Sequence, residues 1–363
     1  MKISFIHTAD LHLGRQFHFS RMSDVYVKDK RTDLWETFNR IINTAENNKI
    51  TFLLISGDIF DSESVDLTVV RRFADLLATL SETRVILCAG NHDMMDDTNM
   101  LECVDWPENV TFFNTGDLES VYFEDVNVEI YGMSWVKKTY QQMPFSLNFE
   151  LDCTHTNILM LHGDAYNTKS EYLPINTEKV SKFDYVALGH IHKHDFITPK
   201  IVYPGSPEAL SFGEKGKHGV IVGEIKNHDC NAQFIPISKR EYHTILLEID
   251  SDMTLTDIRN QIVSVGDEDA RRNDYYRITL KGYKDPEVRM EWLRDELLRC
   301  FYYLELDDTG LQTDLDVDQL YAQNKDNIIG KFIEKINQDP DDPVMQKALK
   351  YGLESILKEK VIL

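Results

Sequence analysis

Along the first two thirds of the chain, short apolar runs alternate with stretches in which apolar residues recur every three or four positions. Residues 3–7, 52–56, 85–88, 158–161 and 185–188 are continuous apolar runs, which predicts strands covered on both faces. Leu34, Phe38, Ile41, Ile42 and Ala45 share one helical face, as do Leu67, Val70, Phe73, Ala74 and Leu77. Residues 121–131 alternate about Glu124, Asp125 and Asn127, the pattern of a β-hairpin. Two further strands are predicted at 219–225 and 232–237. Strands alternating with helices predict a layered α/β fold.

The pattern restarts after Lys239-Arg240. Strand 244–249, helix 256–265, strand 276–280, helix 286–299 and strand 302–306 predict a small α+β domain. Ile328, Ile329, Phe332, Ile333 and Ile336 then form a helical stripe, and residues 344–357 a second helix. Residues 338–343 contain Pro340 and Pro343 and separate the two, since proline ends one helix and can start the next. The expected division is 1–239, 240–310 and 311–363.

The length of 363 residues exceeds one ordinary core, which agrees with several domains. A hydrophobic content of 42% excludes a disordered chain. No apolar run is long enough to span a bilayer, and the N-terminus reads as a strand rather than a secretory signal. The five cysteines are scattered, without a CxxC pair, so neither a thiolate zinc site nor a disulfide framework is expected. A reducing cytoplasm is the expected compartment. The net charge of -22 opposes non-specific adhesion to nucleic acid, which needs phosphate neutralisation. Bound divalent cations would offset part of it.

Polar clusters directly follow the predicted strands: Asp10-Leu-His12, Gly57-Asp58, Gly90-Asn91-His92-Asp93, His162-Gly163 and Gly189-His190-Ile191-His192. In layered α/β folds ligands bind at the carboxyl ends of strands, so these clusters can converge. They offer oxygen and imidazole ligands without thiolate, a set that suits manganese, iron(II) or zinc. In an extended chain residues i and i+2 point the same way, so Asp10/His12 and His190/His192 could each grip one ion. Asp10, His12, Asp58, Asn91, His162, His190 and His192 suffice for two ions if one carboxylate bridges. Two ions about 3.5–4 Å apart can clamp a phosphate and lower the pKa of a bridging water. His92 remains as a proton donor to the leaving oxygen, with Asp93 expected to orient it.

In this order, D-x-H, GD, GNHD, H-G and G-H-x-H resemble the calcineurin-like metallophosphoesterase superfamily over residues 1–240. Asp10-Leu-His12-Leu-Gly14-Arg15, Gly57-Asp58-Ile-Phe-Asp61 and Tyr203-Pro-Gly-Ser206 are similar to the SbcD-type DNA repair exonucleases. The resemblance implies a four-layer α-β-β-α sandwich with a small α+β capping domain and a helical C-terminal tail. It places Asp10, His12, Asp58 and His192 on a first ion and Asp58, Asn91, His162 and His190 on a second, with Asp58 bridging. His92 becomes the catalytic histidine, and the metals two divalent ions, manganese first, with iron(II) and zinc as alternatives. DNA as substrate, an SbcC-like coiled-coil ATPase docked on the tail, and a homodimer through the helices of the catalytic domain are implied as well. Some members carry histidine where this chain has Asp61. An aspartate cannot supply a cationic contact, so no catalytic role is assigned to it.

His7, His18, His155, His194, His218, His228 and His243 fit none of these motifs and read as ordinary polar residues. Ser206 reads as part of a tight turn after Pro204-Gly205. Arg15 and Lys193 flank candidate ligands and read equally as phosphate contacts or solvated charges. The function expected is a metal-dependent DNA exonuclease, nicking single strands as well, that works in repair. The alternatives are a small-molecule phosphodiesterase or phosphatase, favoured by the acidic charge, and a non-catalytic scaffold of the same fold.

Overall fold

A computed structural model describes residues 2–17, 24–61, 65–96, 100–286, 288–337 and 342–359. His18 and positions 338–341 of the proline-containing separator lie outside the described residues. The chain divides into two compact units, Met1–Glu241 and Tyr242–Leu363.

The first unit is built on two six-stranded sheets. In one, β1 (Lys2–Thr8), β2 (Phe52–Ser56), β3 (Arg84–Cys88) and β4 (Val110–Phe113) run parallel, and β11 (Gly219–Lys226) and β12 (Asp229–Pro236) extend it antiparallel beside β1. In the other, β6 (Val128–Gly132), β7 (Thr156–His162), β8 (Tyr185–Gly189) and β10 (Ile201–Tyr203) are parallel. Its antiparallel edges are β5 (Glu119–Phe123), the hairpin partner of β6, and β9 (Asp195–Thr198). The short β4, β9 and β10 carry no periodic signal of their own, and the sequence pattern does not reveal them.

Side-chain alternation assigns each strand two cores. Phe5, Phe52, Leu54, Ile86 and Cys88 pack against Ile130, Ile158, Met160, Tyr185 and Ala187 between the sheets. Their neighbours Ile6, Leu53, Ile55, Val85 and Leu87 meet α1 (Asp24–Asn47) and α2 (Leu67–Leu77) on the outer face. α2 starts where the Asp66 carboxylate accepts from the amides of Thr68 and Val69, and it buries Val70, Phe73, Ala74 and Leu77. Behind the second sheet lies a thinner layer of loop with one short helix, α3 (Thr177–Val180), packed through Trp135, Tyr140, Leu173, Val180 and Phe183. The order is therefore α-β-β-α, as the resemblance implies, with the fourth layer mostly irregular.

The second unit follows its own α+β pattern. A three-stranded parallel sheet of β13 (Tyr242–Ile249), β14 (Tyr275–Lys284) and β15 (Tyr303–Thr313) shares a core with α4 (Leu255–Val263) and α6 (Glu291–Leu298) through Ile258, Ile262, Ile278, Leu293 and Leu297. A further helix, α5 (Glu268–Asn273), has no buried face and so no apolar signature. β15 runs through residue 310, the expected end of the small domain. The tail is helical: α7 (Val317–Asn324), α8 (Ile328–Ile336) and α9 (Pro343–Glu359). Ile329, Ile333, Leu349 and Leu353 form the core of the last two. No helix among the described residues is long and apolar enough to cross a membrane.

His7 of β1 is a buried link between the sheets rather than an ordinary polar residue. One ring nitrogen lies 2.9 Å from the Tyr185 hydroxyl and the other 3.2 Å from the carbonyl of Leu188. Burial pushes its pKa down to about 3, against a smaller opposing effect of the carbonyl. A histidine that folds neutral gives stability that is complete above its unfolded pKa and is lost as pH falls below it. Between pH 7 and pH 5 the wild type is expected to lose about 2 kcal/mol relative to His7→Gln. Urea unfolding of both proteins at the two pH values measures the difference; parallel losses would refute it.

Candidate metal centre

Every candidate ligand sits just beyond the carboxyl end of a parallel strand: Asp10 and His12 after β1, Asp58 after β2, Asn91 after β3, His162 closing β7, and His190 and His192 after β8. The two sheets meet here closely enough for a side chain of one to bond to the backbone of the other. His162 Nδ1 lies 2.9 Å from the carbonyl oxygen of Ser56 and donates to it. His162 Nε2 faces the site, 3.3 Å from Asp58 Oδ2 and 3.0 Å from Asn91 Oδ1. Asn91 Oδ1 is also 3.2 Å from His190 Nδ1. On the other side His12 Nε2 lies 3.2 Å from His192 Nε2 and 3.9 Å from Asp58 Oδ2. Asp10, His12 and His192 form one compact set of ligand atoms, and Asp10, Asp58 and His162 another.

These positions are not extended, as the alternation argument expected. Asp10, His12 and Asp58 have φ of 54°, 46° and 51°, and His190 has 103°. Their amides are used by neighbouring strands: Asp10 N donates to Gly57 O (3.0 Å) and His12 N to Asp58 O (3.1 Å). The turn at His190 also separates its ring from that of His192. His190 faces Asn91 and His162, whereas His192 faces His12, so the pair does not grip one ion together.

The electrostatics favour added positive charge. Asp10 and Asp58 are fully buried. Burial raises the pKa of Asp10, against the pull of His192 and His162. Burial opposes ionisation of Asp58 too, yet the imidazoles of His162, His12 and His92 hold it well below the usual carboxylate range. His162 is raised to about 9: burial alone would lower it, and the charge of and hydrogen bond to Asp58 outweigh that. His190, buried beside His162, is pushed down to about 4. Asp58 Oδ1 accepts from the amide of His92 at 2.8 Å and Asp10 from the amide of His190 at 3.1 Å. The remaining carboxylate oxygen of Asp58, with the facing imidazole nitrogens, is a donor set that suits divalent ions.

Asp61 and Asp93 have partners around the site that the sequence does not mark. Asp61 Oδ1 lies 2.7 Å from His92 Nδ1 and 3.1 Å from His12 Nδ1, and its other oxygen lies 3.3 Å from Arg15. It therefore orients both the candidate acid and a candidate ligand. The hydrogen bond to Asp61 raises the His92 pKa, against partial burial. Asp93, expected to orient His92, is buried and accepts from the backbone amides of Ile59 (2.7 Å), Phe60 (3.2 Å) and Gly90 (2.6 Å), which shapes the loop beneath the site. Arg15 is accordingly a partner of Asp61, and Lys193 is exposed. Glu214, far along the chain, lies 2.8 Å from His192 Nδ1. Nothing in its local sequence marks it; only the fold brings it there.

Residues 3–194 match the calcineurin-like phosphoesterase family. The chain belongs to this family. The matched segment contains all the candidate ligands, together with His92 and Asp93. This phosphoesterase is similar to the uncharacterized metallophosphoesterase YhaO of Bacillus subtilis, 27% identical over 64% of the chain and 60% of that protein's length. It is also similar to the DNA double-strand break repair protein Mre11 of Thermoplasma acidophilum, 24% identical over 79% of each chain. The Mre11 of Methanocaldococcus jannaschii is 28% identical over 57% of each chain.

Close approach of the sheets makes one prediction. A Cβ on Gly189 would lie 1.9 Å from Ser56 O and 2.7 Å from His162 Nδ1. Gly189→Ala is expected to cost about 1–3 kcal/mol through overpacking and to part His162 from Ser56. Thermal melts with and without manganese should show a lower melting point and a smaller rise on adding the ion. An undiminished rise would refute the argument.

Proposed function

We propose that this phosphoesterase is a two-metal DNA nuclease of repair, an exonuclease that also nicks single strands. The observation that carries hydrolysis is the convergence of Asp10, His12, Asp58, Asn91, His162, His190 and His192 at the strand ends, with His92 at their edge. DNA as the substrate is supported by the likeness to Mre11 of Thermoplasma acidophilum. It covers 79% of this chain, more than the 241 residues of the first unit supply out of 363, so it enters the second unit.

In this reading Asp10, His12, Asp58 and His192 hold one ion, and Asp58, Asn91, His162 and His190 the other. Divalent ions bound there, manganese before iron(II) or zinc, would supply Lewis acidity to the phosphate and lower the pKa of the attacking water. The protein supplies orientation and the acid. Asp61 accepts a hydrogen bond from the Nδ1–H of His92, which leaves the Nε2 proton for donation to the leaving alkoxide. Asp93 acts one step behind, holding the loop from which His92 projects. By the same resemblance the helical tail would dock a coiled-coil ATPase. Self-association through the helices of the first unit and residence in the cytoplasm complete the proposal.

The decisive experiment crosses manganese, zinc, iron(II) and magnesium with end-labelled linear DNA, circular single strands, cyclic nucleotides and a generic phosphodiester. Manganese-dependent release of nucleotides from linear DNA is expected. Turnover of cyclic nucleotides alone, with no DNA binding at any ionic strength, would replace the nuclease by a small-molecule phosphodiesterase. His92→Ala should keep both ions and lose about 10²–10⁴-fold in turnover. Full activity in that variant would remove His92 from the mechanism. Asp61→Asn should lower turnover in the same direction, and unchanged kinetics would refute its orienting role.

A further inference from the structure

The segment Tyr203-Pro-Gly-Ser206 and the loop after it, to His218, have no place in the mechanism so far, yet they wrap the back of His192. Gly205 has φ of 73°, and a Cβ there would lie 2.6 Å from His192 O and 2.7 Å from His194 N, so glycine alone lets the loop come this close. The amide of Ser206 donates to His192 O at 3.0 Å. His218 Nδ1 donates to Ser206 O (2.8 Å), with Ser206 Oγ at 3.1 Å, and the serine hydroxyl has Glu214 Oε2 at 3.3 Å and His192 O at 3.4 Å as its two acceptors. The amide of Leu210 donates to the same carboxylate oxygen at 2.8 Å. Glu214 Oε1 is thus aimed at His192 Nδ1. The outer half of the loop is fixed to α1: buried Lys30 donates to Ala209 O, and Thr37 Oγ1 donates to buried Glu208 at 2.7 Å. Glu214 lies beyond the segment that matches the family, which ends at residue 194.

We propose that Glu214 is a positioning residue that holds the Nδ1 proton of His192, presents Nε2 as the ligand, and so sets the affinity of the ion bound by His12 and His192. The inference rests on the two-metal reading of the site. A carboxylate accepting from a ligand histidine fixes the ring's tautomer and angle and raises its basicity. The amide of Leu210, with the Ser206 hydroxyl beside it, holds the far oxygen and so keeps the near one on His192. The role of Ser206 is therefore to hold Glu214, not merely to complete a turn. An amide in place of the carboxylate would fit the same space but point a donor at Nδ1. That would favour the proton on Nε2, the nitrogen that faces His12.

The test uses the metal-free full chain, titrated with manganese alone and followed by calorimetry and electron paramagnetic resonance. The wild type should bind two ions and, at two equivalents, show the spectrum of an exchange-coupled pair. Glu214→Gln should bind one ion as the wild type does and the other about 10–100-fold more weakly. At two equivalents it should show the resolved hyperfine lines of isolated ions. Circular dichroism and melting of the metal-free variant check its fold. Should it not fold, Ser206→Ala decides: it keeps the contact to His192 and is expected to weaken the same ion by a smaller factor. Wild-type affinity and a coupled spectrum in a folded Glu214→Gln variant, or in Ser206→Ala as the deciding variant, would overturn the proposal. A wild type that binds no ion pair would instead overturn the reading of the site itself.

Discussion

The hydrogen bond from His162 to the carbonyl of Ser56 is the contact on which the rest of the site depends. It joins the end of β7 in one sheet to the end of β2 in the other, and it exists because the chain beside it carries no side chain at Gly189. With the sheets at this separation, Asp58 from one comes within reach of His162 from the other, and Asn91 meets both His162 and His190. The same seam holds His7 against Tyr185 a turn deeper. Apolar packing brings the sheets together, and the bonds at their edge fix the register in which ligand atoms face each other.

Much of this was legible in the chain. Doubly covered strands are continuous apolar runs, so residues 52–56 and 185–188 declare themselves, and each run stops where a ligand begins. α2 is equally plain, because Val70, Phe73, Ala74 and Leu77 fall on one face. β9, β10 and α5 were not, since three or four residues, or a helix without a buried face, leave no periodic signal. The candidate ligands could be named because each follows a strand. Their supporting residues could not. Asp61 reads as idle in sequence because a carboxylate cannot imitate a cation, whereas in the fold it meets two imidazoles and the guanidinium of Arg15. Asp93 is expected beside His92 because the two are neighbours in sequence, and its carboxylate also accepts from the amides of Ile59, Phe60 and Gly90, partners that adjacency does not reveal. Adjacency along the chain predicted one partner, and three-dimensional packing chose others.

The distribution of carboxylates also gives the net charge of -22 a local meaning. Within the site the anionic groups are enclosed by imidazoles: Asp58 by His162 and His12, Asp61 by His12 and His92, and Glu214 by His192. His12, His162 and His192 each have Nδ1 tied to a protein oxygen and Nε2 facing another candidate ligand. Divalent cations add the charge that this arrangement lacks.

The left-handed backbone at Asp10, His12, Asp58 and His190 bears on how the site can change over time. Aspartate, asparagine and histidine are among the few residues other than glycine that enter this region with any frequency, and they are also metal ligands. At these positions the backbone and the coordination chemistry therefore draw on nearly the same short alphabet. An alanine there would remove a candidate ligand and strain the turn, while a glycine would relax the turn and remove the candidate ligand. Neutral drift through either route meets a penalty, so such a site is expected to vanish abruptly when its function is lost rather than to erode one position at a time.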